Sequence, residues 1–241
     1  MTDGWLFLLR WFHFLAGITW IGMLYYFNFV QVPFFAGAEP AVRTGMITGG
    51  LVSRALWWFR WGAMLTFITG GLYLLHRIVQ LGGVQSFFNT PYGWAIFIGG
   101  MIGSLMWFNV WFVIWPAQQL VMASATRVKE GGQAIPEAAA RGARGGVTSR
   151  TNTLLSIPML FFMGAAMHWP FFTPIGRPAK ITMLVVFLII LAIVEWNAVA
   201  GPATPDKASA GKKLLSTVKG TFWAGFVLTA VFVIALKIIF G

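Results

Sequence analysis

The sequence predicts an all-α integral membrane protein, a single domain over residues 1–241 built as a bundle of about six transmembrane helices with both termini outside. Three observations carry that prediction. The chain is 58% hydrophobic and 10% charged, with a mean hydropathy of +0.77, whereas a soluble domain carries roughly 25% charged residues. Its apolar runs are long enough to cross a bilayer, because a helix rises about 1.5 Å per residue and roughly 20 apolar residues span the hydrocarbon. Those runs also lack the period-2 alternation of barrel strands. Helices are then what remains, since backbone groups in lipid must be bonded within the segment.

The first span covers residues 5–32, with Pro33 after it. The N-terminal run MTDGWLFLLRW has no basic n-region and no small-residue cleavage site close behind, so it reads as the start of this helix and not as a signal peptide. The second span covers 55–79 and ends before Gly82–Gly83; the third covers 92–115 and is expected to stop at Pro116. Residues 117–150 read as a cytoplasmic basic loop: a helix extension, a Gly-Gly break, then a short Ala-rich amphipathic helix after Pro136. The fourth, fifth and sixth spans cover 151–172, 178–200 and 218–240. Gly99, Gly100, Gly103 and Ser104 make small-xxx-small pairs on the third span, which let helices approach closely.

Loop charge gives the orientation. Arg43 and Arg54 follow the first span, Arg127, Lys129, Arg141, Arg144 and Arg150 the third, and Lys207, Lys212, Lys213 and Lys219 the fifth. The opposite side carries fewer, so the three basic loops are expected in the cytoplasm. The net charge of +11 is thereby explained by topology and does not point to nucleic acid. Cysteine is absent, which excludes disulfides, thiolate metal sites and CxxCH attachment of a c-type haem within this sequence.

The three histidines, His13, His76 and His168, all lie in apolar spans. His76 and His168 fall near the outer ends of their helices, and His13 about 12 Å below the start of its own. All three are thus expected in the outer half of the bilayer, able to face one cavity. Arg10, His13, Gly17, Trp20 and Leu24 share one stripe of the first helix, and Gly164 lies one turn before His168. Small residues beside a histidine leave room for a flat ring such as haem b, whose iron neutral imidazole ligates. Arg10, Arg77 and Arg177 at the outer rim suit haem propionates. The competing reading is that each histidine hydrogen-bonds a neighbouring helix. A second polar layer gathers at the opposite depth: Asn28, Gln31, Arg60, Asn109, Asn152, Glu195 and Asn197. Ionisable groups inside a membrane bundle are functional candidates, here for a substrate, quinone or proton site, with Arg60 and Glu195 placed to form an ion pair. A structural ion pair with interfacial snorkelling is the alternative.

The runs RWFHFLAGITWIG (10–22), VIWPAQQ (113–119) and RTNTLLSIPMLFFMGAAMHWP (150–170) resemble the membrane domain of bacterial membrane-bound urate oxidases. A fainter likeness, through the first-helix histidine, extends to the haem-binding protoporphyrinogen oxidases of bacterial membranes. The resemblance implies a helical oxidoreductase domain of the bacterial cytoplasmic membrane that passes electrons to a cytochrome, with His13, His168, Asn152 and Pro158 at matched positions. This sequence contains no CxxCH and is expected to lack that family's C-terminal cytochrome c, so a separate cytochrome partner is expected. Two other expectations stand beside a haem b redox protein: a non-catalytic subunit of a larger respiratory or photosynthetic complex, and a urate oxidase acting with a separate cytochrome.

Overall fold

Long apolar helices laid antiparallel account for nearly the whole chain in the computed structural model, which describes residues 2–204 and 206–240; Met1, Pro205 and Gly241 lie outside it. Helix α1 (Thr2–Tyr25) continues through a π-helical segment (Tyr26–Gln31) into α2 (Val32–Gly37). After α3 (Pro40–Thr48) the chain reverses through Gly50, whose φ of 91° is open to glycine, into α4 (Leu51–Gln80). A short α5 (Val84–Phe87) leads to α6 (Pro91–Phe108). Thr90 caps α6 by accepting the Gly93 N–H at 3.0 Å, and Pro91 fills the first helical position. A second π segment (Asn109–Ile114) joins α6 to α7 (Trp115–Lys129). Then come α8 (Ala138–His168), α9 (Arg177–Val199), α10 (Ala210–Leu214) and α11 (Val218–Phe240).

Five rods are long and apolar enough to cross a membrane: Gly4–Gly37, Leu51–Gln80, Pro91–Lys129, Arg177–Val199 and Val218–Phe240. The predicted fourth span is the C-terminal part of α8, which is less apolar than these. The reason is its place. Helix α8 packs on α1, α6, α7, α9 and α11, so protein covers most of the surface that lipid covers elsewhere. Thr148, Thr151, Asn152, Thr153 and Ser156 are buried there; the last four have hydrogen-bond partners, and the Thr148 hydroxyl has none among the described residues.

Four boundaries differ from those expected. Pro33 and Pro116 do not end their helices, because a π segment stands immediately before each and accommodates the missing N–H and the ring. The helix expected after Pro136 is not separate from the fourth span; both belong to α8, which also passes through Pro158. Helix α8 stops at His168 and not at residue 172. Trp169 precedes Pro170, which forces it out of the helical region to φ −145°, ψ 80°.

Packing follows residue size. The α1–α4 pair closes over Gly62 and Gly70: a Cβ at Gly62 would lie 3.1 Å from Trp20 N and 3.3 Å from the Ala16 carbonyl oxygen. Helices α6 and α8 meet where Gly99 faces Met159 and Met163, so one half of the small-residue pattern on the third span serves as expected. The core between the helices is filled by Ile98, Ile102, Leu155, Phe162, Phe187 and Phe232. Phe7, Ile18, Leu75, Trp196 and Ile238 point outward on the apolar rods, where a bilayer would meet them. In the loop after α9, Lys212 is 4% exposed. Its ammonium donates to the carbonyls of Ala200, Gly201 (3.3 Å) and Pro202 (2.8 Å), while Arg144 donates to Gly201 at 3.0 Å.

Candidate functional site

The second polar layer is real as a hydrogen-bonded cluster, but its partners are not those expected. Asn109 opens the second π segment and is fully buried. Its Nδ2 donates to Asn152 Oδ1 at 3.0 Å and to Glu195 Oε2 at 3.0 Å, tying together three helical rods. Asn152 Nδ2 donates in turn to the Met106 carbonyl at 2.9 Å, where the α register gives way to the π register. Both N–H bonds of Asn109 are then used. Asn109 Oδ1 and Glu195 Oε1 are buried with no partner among the described residues.

Arg60 does not join this cluster. The guanidinium of Arg60 stacks 3.7 Å from the Trp115 ring centroid and lies 5.4 Å from that of Trp111. The expected Arg60–Glu195 ion pair is thus replaced by a cation–π contact on one side and an amide hydrogen bond on the other, since a delocalised guanidinium lies well on an indole face. Trp107, Trp111 and Trp115 recur every four residues along the third rod. They form an aromatic wall opposite α4, where Phe67 stacks on Trp107 with centroids 4.3 Å apart and planes 11° apart. The tryptophan stripe was visible in the sequence as i, i+4 spacing, though not read there as a wall.

Between α6 and α9, which hardly touch, lies an open cleft of about 520 Å³. Phe67, Trp107, Phe108 and Leu188 line it, and Ser104 and Glu195 are its polar members. Ser104 Oγ donates to the Gly100 carbonyl at 2.8 Å, so the other half of the small-residue pattern borders this cleft and not a helix contact.

The histidines part company. His13 is seated on α4: its Nδ1 lies 2.9 Å from the Thr66 carbonyl oxygen and 3.4 Å from Thr69 Oγ1, and its ring covers Gly70. The carbonyl can only accept, so the neutral ring carries its proton on Nδ1 and keeps a lone pair on Nε2. His168 is exposed at the C-terminus of α8, and His76 is half-buried near the end of α4. Among the described residues no group of three or more His, Cys, Asp or Glu is arranged to hold a metal ion. Gly17 opens no space for a ring, because its Cβ position lies 3.9 Å from Thr66 Cγ2; Gly164 is exposed with nothing within 4 Å. At the rim, Arg10 donates to the Tyr73 hydroxyl, and Arg77 donates to Gln80 Oε1 at 2.9 Å and lies over Tyr92. Thr66 was not singled out from sequence; with Gly62 and Gly70 it forms a small-residue stripe at four-residue spacing, which is the signal that marks this seam. As a ligand set for haem the chain therefore fits one axial imidazole, His13, oriented by a carbonyl behind it as metal-ligating histidines are.

Fold and contacts together define a multi-pass helical membrane protein with one buried amide–carboxyl cluster and one carbonyl-oriented imidazole. Residues 78–217 match the family described as Urate oxidase N-terminal. That is more than half of the chain, and the chain belongs to this family. The matched stretch holds Asn109, Asn152, His168 and Glu195, and both the VIWPAQQ and RTNTLLSIPMLFFMGAAMHWP runs; His13, Arg60 and His76 precede it. No curated protein and no solved structure matches the chain.

Proposed function

We propose that this protein is a membrane oxidoreductase of the urate oxidase type that works with one b-type haem held through His13 Nε2 and delivers electrons to a separate cytochrome in a bacterial cytoplasmic membrane. Family membership supports the reaction class. The observation that carries the cofactor reading is the His13–Thr66 contact of 2.9 Å, which fixes the tautomer and ring orientation that iron ligation requires. When bound, a haem supplies one-electron transfer. This chain's own residues do the rest: the Thr66 carbonyl holds the Nδ1 proton, Gly70 gives the ring its seat, and Arg10 and Arg77 offer guanidinium groups at the same end of the bundle.

The test is a reduced-minus-oxidised difference spectrum of the purified protein after haem-supplemented expression. The expected result is a Soret and α-band change in the parent chain and its loss in His13→Gln, whose amide still donates to Thr66 but ligates iron poorly. A parent chain without a haem spectrum overturns the cofactor reading. Urate is the substrate to assay first, through urate-dependent reduction of a cytochrome by membranes containing the protein.

A further inference from the structure

Of the six Asp and Glu in the chain, Glu195 alone lies within the five apolar rods or α8. It stands one turn before the end of α9 at Val199. A side chain leans toward the N-terminus of its helix, which here is away from the polar loop after α9 and toward the apolar length of the rod. The C-terminal end of a helix is also the negative end of its dipole, so a second negative charge is disfavoured there.

Among the described residues Glu195 takes one hydrogen bond, from Asn109 Nδ2 at 3.0 Å, and no charged group on the surrounding elements bonds it. On α4, Arg60 lies over Trp115. On α8, Arg141 is exposed, Arg144 donates to the Gly201 carbonyl, Arg150 Nη1 has no partner, and His168 stands at the far end. On α10, Lys212 donates to the carbonyls of Ala200, Gly201 and Pro202. On α11, Lys219 and Lys237 stand near its two ends. The third rod carries no charge before Arg127. Trp107 Nε1, a donor in the wall of the cleft that Glu195 borders, is itself without a partner and so does not reach the carboxyl.

Two buried oxygens are left over, Glu195 Oε1 and Asn109 Oδ1. Each shares a carbon with one end of the Nδ2–Oε2 bond. A water molecule can donate to both, but it leaves a full negative charge with one neutral donor in an apolar setting, which costs far more than a missing hydrogen bond. A calcium ion cancels the charge but takes about 6–8 oxygen ligands, and no group of ligating side chains is arranged for a metal among the described residues. A proton does both things at once. It removes the charge, and it turns Oε1 from an acceptor into a donor.

We infer that Glu195 is a proton-binding site inside the bundle: a neutral carboxylic acid whose proton sits on Oε1 and is donated to Asn109 Oδ1, while Oε2 accepts from Asn109 Nδ2. Acid and amide then bond each other twice, and Asn152 Oδ1 holds the other amide N–H. The equilibrium is one carboxylate plus one proton from water giving one carboxylic acid. It involves neither His13 nor a bound cofactor.

Glu39, Glu130 and Glu137 are exposed, so a chain carrying Glu39→Gln, Glu130→Gln and Glu137→Gln keeps Glu195 as its sole glutamate. Infrared spectra of this chain in a maltoside detergent at neutral pH, with and without carbon-13 label in the glutamate carboxyl, isolate the Glu195 signal. Expected in the difference is the C=O stretch of a protonated carboxyl and no carboxylate stretch. Asn109→Leu in the same chain should leave the carboxyl protonated and move its stretch to higher frequency, because both bonds to the amide are gone. His13→Gln should change neither result, so the haem reading and this one fail separately. Carboxylate bands at neutral pH, the result that an ionised Glu195 with a bridging water gives, would overturn the inference. A protonated band that Asn109→Leu leaves in place would overturn it too. Should Asn109→Leu not fold, the sole-glutamate chain decides through the presence or absence of carboxylate bands.

Discussion

Gly70→Ala perturbs the His13 seat at one atom, and its effect can be worked out in advance. The new methyl would lie 2.8 Å from His13 Cε1 and 3.0 Å from Nδ1, against an optimal separation of about 3.5–4.0 Å. The imidazole is the movable partner, because it turns on its own side-chain torsions while the helices are fixed along their lengths. The ring should swing away and lose its 2.9 Å bond to the Thr66 carbonyl. Such a bond contributes about 0.5–1.5 kcal/mol net in proteins generally, and about 0.6 kcal/mol on average within a membrane bundle. Alanine in place of a mid-helix glycine works the other way, by about 0.8–1.0 kcal/mol. The single substitution is therefore expected to leave stability nearly unchanged, which by itself would prove nothing. A double-mutant cycle with His13→Ala isolates the contact, because the helix-propensity gain occurs in both backgrounds and cancels. Gly70→Ala should stabilise the His13→Ala chain by about 0.8–1.0 kcal/mol, giving a coupling energy of about 0.6–1.5 kcal/mol between the two positions. Equilibrium unfolding in mixed micelles across the four chains measures it. Equal effects of Gly70→Ala in both backgrounds would refute the seat of the ring on α4, and with it the tautomer assignment on which the haem proposal rests.

Other substitutions probe the remaining contacts. Asn152→Leu leaves the Met106 carbonyl and one Asn109 N–H dry, and should lower stability by about 2 kcal/mol or more; Asn152→Asp keeps the acceptor for Asn109 and should fall between, both read from unfolding midpoints. Gly225→Ala would set a Cβ 2.4 Å from Ile157 Cδ1 and 2.8 Å from the Leu154 carbonyl oxygen. That carbonyl is backbone and cannot turn aside, so α11 must part from α8 at a cost of about 1–3 kcal/mol in thermal unfolding. Gly164→Leu, with nothing within 4 Å of its Cβ position, should change stability by no more than about 0.5 kcal/mol, and should leave haem content unaltered unless a ring lies beside it. Lys212→Met strips the donor from three carbonyls after α9; amide exchange should rise around residues 200–213 while the exchange of the spans stays slow.

What the sequence made legible was whatever depends on long-range apolarity. The fifth and sixth spans were placed within a residue of α9 and α11, because nothing in those runs competes with a plain helix. The central helix was legible only in part. Threonines, asparagine and Arg150 in residues 148–156 look like a membrane boundary when lipid is assumed to be the neighbour. With other helices as neighbours they are interior, and α8 runs straight through. The first-helix stripe of His13, Gly17, Trp20 and Leu24 was correctly placed on one face; what that face meets was not readable. A glycine beside a histidine signals space equally well for a cofactor or for another helix, and here Gly70, Gly62 and Thr66 supply the helix. Pairing Arg60 with Glu195 by expected depth alone ignored azimuth. Trp115 and Asn109 were the groups within reach.

The two π segments limit how far azimuth can be read from helical spacing. Each π segment spans six residues and ends two positions before a proline, Gln31 before Pro33 and Ile114 before Pro116. At the entry to each, an asparagine side chain takes up a backbone carbonyl: Asn28 Nδ2 bonds the Leu24 carbonyl at 2.8 Å, and Asn152 Nδ2 the Met106 carbonyl at 2.9 Å. A π turn spreads the residues of a rod around its axis differently from 3.6 per turn, so any stripe drawn through it at helical spacing is rotated beyond that point. Asn109 lies at this junction, where its amide reaches Asn152 of α8 and Glu195 of α9. The same proline that a linear reading takes as the end of a span stands, in this fold, just past the π segment that Asn109 opens, and the rod continues through it to Lys129.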